Sequence, residues 1–93
     1  MKQYEIALIL TEELGSKEAE FKKLLTEILS KVNGKLTKIE LSSKKELAYK
    51  IKKQKRGYLV VLTAELAGDL VKELERLLKL ETKILRYLII KKE

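Results

Sequence analysis

Residues 47–64 read Leu-Ala-Tyr-Lys-Ile-Lys-Lys-Gln-Lys-Arg-Gly-Tyr-Leu-Val-Val-Leu-Thr-Ala, two apolar stretches around a basic centre. Tyr58 to Ala64 is rich in aliphatic and β-branched types, is too short for an independent helix, and follows a glycine, which makes it the clearest strand of the chain. Upstream, residues 35–52 alternate loosely through Leu36, Ile39, Leu41, Leu47, Tyr49 and Ile51. The polar run Ser42-Ser43-Lys44-Lys45 predicts a bend or bulge inside one long strand there. Lys52 to Gly57 reads as the turn that folds the two strands into a hairpin.

Working outward from this hairpin, Tyr4 to Leu10 is a first buried strand whose even positions carry the core residues. Ser16 is placed to cap a helix with Glu18 and Glu20 in its first turn and Phe21, Leu24, Leu25, Ile28 and Val32 at helical spacing. Asn33-Gly34 supplies the left-handed stop. After the hairpin, Gly68-Asp69 opens a second helix with Leu70, Val71, Leu74, Leu77 and Leu78 on one face, and Ile84 to Ile90 closes the chain as a last strand. The order is βαββαβ over residues 1–93, read as a single domain. The fold class is α+β and ferredoxin-like, a four-stranded antiparallel sheet with two helices on one face.

The chain of 93 residues is 45% hydrophobic and 38% charged, a balance that fills one modest core beneath a charged surface. It contains neither Cys nor His, which excludes thiol and imidazole catalysis, disulfides and zinc fingers. No phosphate-binding glycine loop and no metal-protease motif occurs, so no cofactor, metal or small-molecule substrate is expected. The absence of an 18-residue apolar run and of a signal-peptide cleavage pattern predicts a protein of the cytoplasm or an organelle, without membrane association.

The net charge of +7 favours a polyanionic partner. Residues 44–56 hold Lys44, Lys45, Lys50, Lys52, Lys53, Lys55 and Arg56 against the single acid Glu46, a net of +6 in one segment. Lysines on an edge strand also serve to block aggregation, but this run spans the turn as well and dominates the charge, which favours phosphate binding. Lys2, Arg86, Lys91 and Lys92 form a second basic group if the first and last strands pair. Base stacking across the sheet is disfavoured, since the strongest strand offers only Tyr58 as an aromatic platform.

If Ile6, Leu8, Val60 and Leu62 face the helices, Ala7, Ile9, Leu59, Val61 and Thr63 face away. The last strand adds two aliphatic residues to that face in either parity, Leu85 and Ile89 or Leu88 and Ile90. Two helices cover only one side of a sheet, so Ile9, Val61 and Leu88 mark a candidate face for a partner protein. Ordinary aliphatic filling shielded by lysine stems is the alternative.

Tyr4-Glu5-Ile6, Leu47-Ala48-Tyr49-Lys50-Ile51, Gly57-Tyr58 and Leu85-Arg86-Tyr87-Leu88-Ile89-Ile90-Lys91 occur in the order and spacing of a known family. Over essentially the whole chain they resemble the bacterial small-subunit ribosomal protein S six (S6) family. The resemblance implies a ribosome-bound, non-enzymatic protein that binds small-subunit ribosomal RNA together with ribosomal protein S eighteen (S18). It points to Lys2, Tyr4, Arg86 and Lys91 as RNA-facing residues, whereas Lys52, Lys53, Lys55 and Arg56 are candidates on charge alone. The family's Gly and Arg before Leu-Ala-Tyr are replaced by Ser42-Ser43-Lys44-Lys45-Glu46, and a lysine cannot supply a bidentate arginine fork. Some members carry an acidic tail where this sequence ends at Glu93, and no role tied to such a tail is expected.

Two other classes fit the same order of elements. A regulatory or oligomerisation domain would bury the open face against a second copy and take a small anionic ligand at the basic edge. An acylphosphatase would need an Arg and an Asn around a phosphate, but the segment after the first strand, Thr11-Glu12-Glu13-Leu14, is acidic.

Overall fold

The computed structural model describes residues 2–51 and 54–92. Four strands, β1 (Lys2–Thr11), β2 (Lys35–Ile51), β3 (Gln54–Leu66) and β4 (Ile84–Lys91), form one sheet in the order β2-β3-β1-β4. Each neighbouring pair is antiparallel. Three helices connect them: the single turn α1 (Glu12–Gly15), α2 (Glu18–Ser30) and α3 (Val71–Leu80), the last preceded by a 3₁₀ turn at Gly68–Leu70. This is the predicted split βαβ arrangement, with one extra turn of helix.

The core lies between the sheet and the two long helices. Tyr4, Ile6, Leu8 and Leu10 of β1 and Val60, Leu62, Ala64 and Leu66 of β3 meet Phe21, Leu25, Ile28 and Leu29 of α2 and Leu74 and Leu78 of α3. Strict alternation along the two central strands therefore gives one face buried beneath helices, the period-2 reading of the sequence. The amphipathic spacing of α2 and α3 supplies the other wall.

Several local expectations are corrected. Ser16 does not cap α2, whose N-cap is Lys17 without a side-chain bond; Thr11 caps α1, its Oγ1 accepting the Leu14 N–H at 3.3 Å, while the Ser16 hydroxyl donates to the Glu13 carbonyl at 3.1 Å. The extra turn forms because buried Leu14 anchors it and Gly15 packs against Tyr58, where a Cβ would stand 2.3 Å from the tyrosine Cβ. Gly68 and Asp69 lie in the 3₁₀ turn and neither caps α3, which begins at Val71. After α2, Asn33 takes the left-handed conformation at φ 55°, and the Gly34 N–H closes on the Leu29 carbonyl at 2.8 Å.

The hairpin is also longer than expected. β3 starts at Gln54, so Lys55 and Arg56 are strand residues and not part of a turn; Lys52 and Lys53 lie outside the described residues. The expected bend at Ser42–Lys45 is a regular ladder running from Leu41 opposite Val61 to Glu46 opposite Arg56. Irregularities flank it instead, at Leu36/Lys38, Ile39/Leu41 and Glu46/Ile51. Backbone pairing with β3 thus keeps the polar run extended, and the extra residues are accommodated on either side.

Candidate RNA and protein interfaces

The sheet face turned away from the helices is built in cross-strand rows. Arg86, Ile9 and Leu59 form one row, Leu88, Ala7 and Val61 the next, and Ile90, Glu5 and Thr63 a third. Ile9, Val61 and Leu88 therefore share one surface, as the alternation predicted. The parity of β4 is decided by a bulge: Ile9 pairs with Arg86 but Leu10 pairs with Ile84, which leaves Leu85 as the additional residue. Tyr87 and Ile89 then pack on the core, while Leu88 and Ile90 are 57% and 49% exposed on the open side. Leu85 is buried, with Cδ1 3.8 Å from where a Gly57 Cβ would stand.

Rows one and two enclose a shallow depression of about 220 Å³ bordered by Ala7, Ile9, Leu59, Arg86 and Leu88. Its floor is aliphatic because Ala7 is too small to fill the space between its larger neighbours Ile9, Leu59 and Leu88. The third row differs: Thr63 is only 4% exposed although no helix covers it. The Lys92 side chain crosses from the β4 side of the sheet, and its ammonium donates to Thr63 Oγ1 at 3.3 Å and to Glu40 Oε1 on β2 at 3.4 Å. Sequence reasoning counted Lys92 as a surface cation and missed Glu40, because the register shift between Ile39 and Leu41 falls on Glu40 and hides its position from simple alternation.

The cationic residues fall into two places. Lys2 and Lys91 come together where β1 begins and β4 ends; hydrogen bonding with Lys2, then repulsion from it, holds the Lys91 ammonium below its ordinary value. Such a pair favours an anion that relieves the repulsion. Arg86 is exposed on the open face beside Ile9. Tyr4, expected to face RNA, is instead 7% exposed in the core, with its hydroxyl 3.2 Å from where a Gly68 Cβ would stand; its ring is not a stacking platform.

Around the hairpin, Arg56 is exposed on β3 opposite Glu46, and Lys55 follows Gln54 along the same strand. Lys44 is held by Glu12 of α1, Nζ to Oε2 3.2 Å, which ties the basic strand to the loop after β1. Arg56 and Lys55 therefore belong to the hairpin, remote along β3 from the Lys2 and Lys91 pair near Leu66. Among the described residues no group of His, Cys, Asp and Glu is placed to hold a metal. A polar groove of about 610 Å³ between α2 and β2, bordered by Glu18, Lys22, Thr26, Ser30, Lys35 and Lys38, contains neither the Arg nor the Asn of an acylphosphatase cradle. No helix is long and apolar enough to cross a membrane among the described residues.

Comparison with known proteins decides between the readings. The sequence model of the family described as Ribosomal protein S6 matches residues 3–91. The chain belongs to the ribosomal protein S6 family. Small ribosomal subunit protein bS6 of Campylobacter jejuni is 35% identical over 94 residues, covering 100% of this chain and 75% of that one. The bS6 protein of Carboxydothermus hydrogenoformans is 31% identical over 94 residues, covering 100% and 98%. In three dimensions the fold matches the crystal structure of 30S ribosomal protein S6 from Thermotoga maritima with a TM-score of 0.79 at 25% identity, over 98% of this chain and 87% of that one. Membership of the S6 family makes this a small-subunit ribosomal protein, ribosome-bound in the cytoplasm, and favours that reading over a free-standing regulatory domain.

Proposed function

We propose that this S6-family chain binds small-subunit ribosomal RNA through its two basic regions and docks S18 on the open sheet face, as a structural component without catalytic activity. The observation that carries the reading is the juxtaposition on one sheet of an uncovered aliphatic face, Ile9, Val61 and Leu88, with Arg86 on that face and the Lys2 and Lys91 pair at the end of the adjoining strands. Contiguous exposed aliphatic groups favour a protein partner, and clustered ammonium and guanidinium groups favour phosphates. Lys2, Arg86, Lys91 and Arg56 are the proposed contacts with exposed side chains, with Lys52, Lys53 and Lys55 joining them on charge.

A salt titration of binding to a small-subunit ribosomal RNA fragment, with and without S18, tests the reading. The log of affinity should fall linearly with log salt, by about 0.7–0.9 per phosphate contact. Joint neutralisation of Lys52, Lys53, Lys55 and Arg56 should weaken binding to all RNAs about equally and flatten that slope. Salt-independent affinity overturns the phosphate-binding reading. Unchanged affinity in the fourfold variant removes the hairpin from it and leaves those lysines as protection for a strand edge.

A further inference from the structure

The open sheet face is not uniform. Its first two rows are aliphatic and accessible, with Leu88 57% exposed, whereas Thr63 in the third row is 4% exposed on a side that carries no helix. What lies over Thr63 is Lys92. Its backbone N–H donates to the Gln3 carbonyl at 2.8 Å, fixing the end of β4 to β1, and its side chain then reaches Thr63 on β3 and Glu40 on β2. One lysine thus links the β4 side of the sheet to the opposite edge strand. Its side chain is 39% exposed and that of Glu40 30%, so the pair is part of the surface that a docking protein would meet.

We propose that Lys92, held by Glu40 and Thr63, is a positioning residue that fences the sheet face and confines a partner protein to the half bounded by Ile9, Leu59, Val61 and Leu88. This rests on the reading that the face docks a protein. The physical reason is desolvation. A partner seated on Ile9, Ala7, Leu59, Val61 and Leu88 covers aliphatic groups, with Arg86 at their margin, whereas one extending over the third row must either strip water from the Lys92 ammonium and the Glu40 carboxylate or break their bond. The lysine stem meanwhile shields the apolar part of Thr63, which leaves Ile90, at the β4 edge, as the exposed aliphatic group of that row. The fence therefore sets the register of docking without itself supplying much attraction.

The test is methyl NMR of the full chain titrated with purified S18, comparing the wild type with Lys92→Met, which keeps the stem but removes the ammonium, and with Glu40→Gln. In the wild type, the Ile9, Leu59, Val61 and Leu88 methyls should shift on binding while the Thr63 methyl remains nearly unmoved. In both variants Thr63 should join the shifting set, and unchanged far-UV spectra of the free proteins check that the sheet persists. Thr63 shifting as strongly as Leu59 in the wild-type complex overturns the fence. So does a Thr63 methyl that stays silent in every protein, because Lys92 is then not what keeps the partner away. A complex that forms with no shift at Ile9, Leu59, Val61 or Leu88 overturns the sheet-face docking reading itself, and is distinguishable from both.

Discussion

Replacing Val61 with lysine separates a docking surface from a core face within one residue. Val61 is half-buried, sits in register with Ala7 on the adjacent strand, and has Leu59 and Thr63 as its same-face neighbours along β3. The methyl of Ala7 leaves room across the strand, so a lysine stem has space to lie along the sheet while its ammonium reaches water. The loss in the monomer is then a change of strand preference, about 1 kcal/mol at most. For a domain of this size that lowers the thermal midpoint by no more than about 4–8 °C. In a complex the same ammonium would be enclosed against aliphatic groups without a counter-charge, and truncations or unpaired charges at such centres typically cost about 2 kcal/mol or more. That corresponds to a loss of S18 affinity of about thirtyfold or more. Calorimetric titration with S18, paired with thermal unfolding of the free protein, reads both quantities. A folded Val61→Lys protein that binds S18 at wild-type strength refutes the docking reading, and a protein destabilised by several kcal/mol shows that Val61 belongs to the core.

Phe21→Ala empties a site that is 0% exposed beneath the sheet and should destabilise by about 3–5 kcal/mol, lowering the midpoint by at least about 12 °C; a drop of only a few degrees would mean the helix layer packs loosely there. Gly57→Ala places a Cβ 2.9 Å from both Ile9 Cγ2 and the Leu10 carbonyl oxygen, and since the latter is backbone the overpacking should outweigh the gain from removing a strand glycine, for a net loss of about 1–2 kcal/mol in urea unfolding. A stabilised Gly57→Ala protein contradicts that close approach. Arg76 donates to the Glu73 carboxylate and holds it below its ordinary 4.5, so the wild type should exceed Glu73→Gln in stability above that pH and lose the difference as pH falls through the lowered value. Parallel acid-unfolding curves for the two proteins, with a constant gap down to full protonation, would show that the pair contributes nothing.

The fold was legible where one pattern governs a whole element. Period-2 alternation in Tyr4–Leu10 and Tyr58–Ala64 and helical spacing from Phe21 to Val32 and Leu70 to Leu78 each follow from burial of a single face, and the sheet and helices put those residues in one core. What the sequence hid is where two influences compete. Ser16 is an acceptable cap by residue type, yet its hydroxyl turns back to the Glu13 carbonyl of the extra turn α1, whose Gly15 packs against Tyr58, a contact between positions more than 40 apart. Ser42–Lys45 looks like a break in isolation but is held extended by β3. In the last strand the parity could not be settled from alternation because the bulge at Leu85 shifts it, so Leu88 rather than Tyr87 reaches the open face.

For the candidate interfaces, charge was legible as a total and much less so as a distribution. A lysine's count in the net charge says nothing of whether its ammonium is available, and the structure divides the lysines on that point. Lys2 and Lys91 face each other and gain from an added anion. Lys44 and Lys92 are matched to Glu12 and Glu40, acids that lie far from them in sequence, so their charge is partly neutralised within the fold. Tyr4 shows the same limit for an aromatic residue: the family resemblance points to it as RNA-facing, yet its even parity on β1, the parity of the core, sends the ring beneath the helices. The two surfaces are therefore unequal in kind. The uncovered face follows from topology, since two helices cannot cover both sides of a sheet, whereas the availability of each lysine depends on which carboxylates the fold places within reach of it.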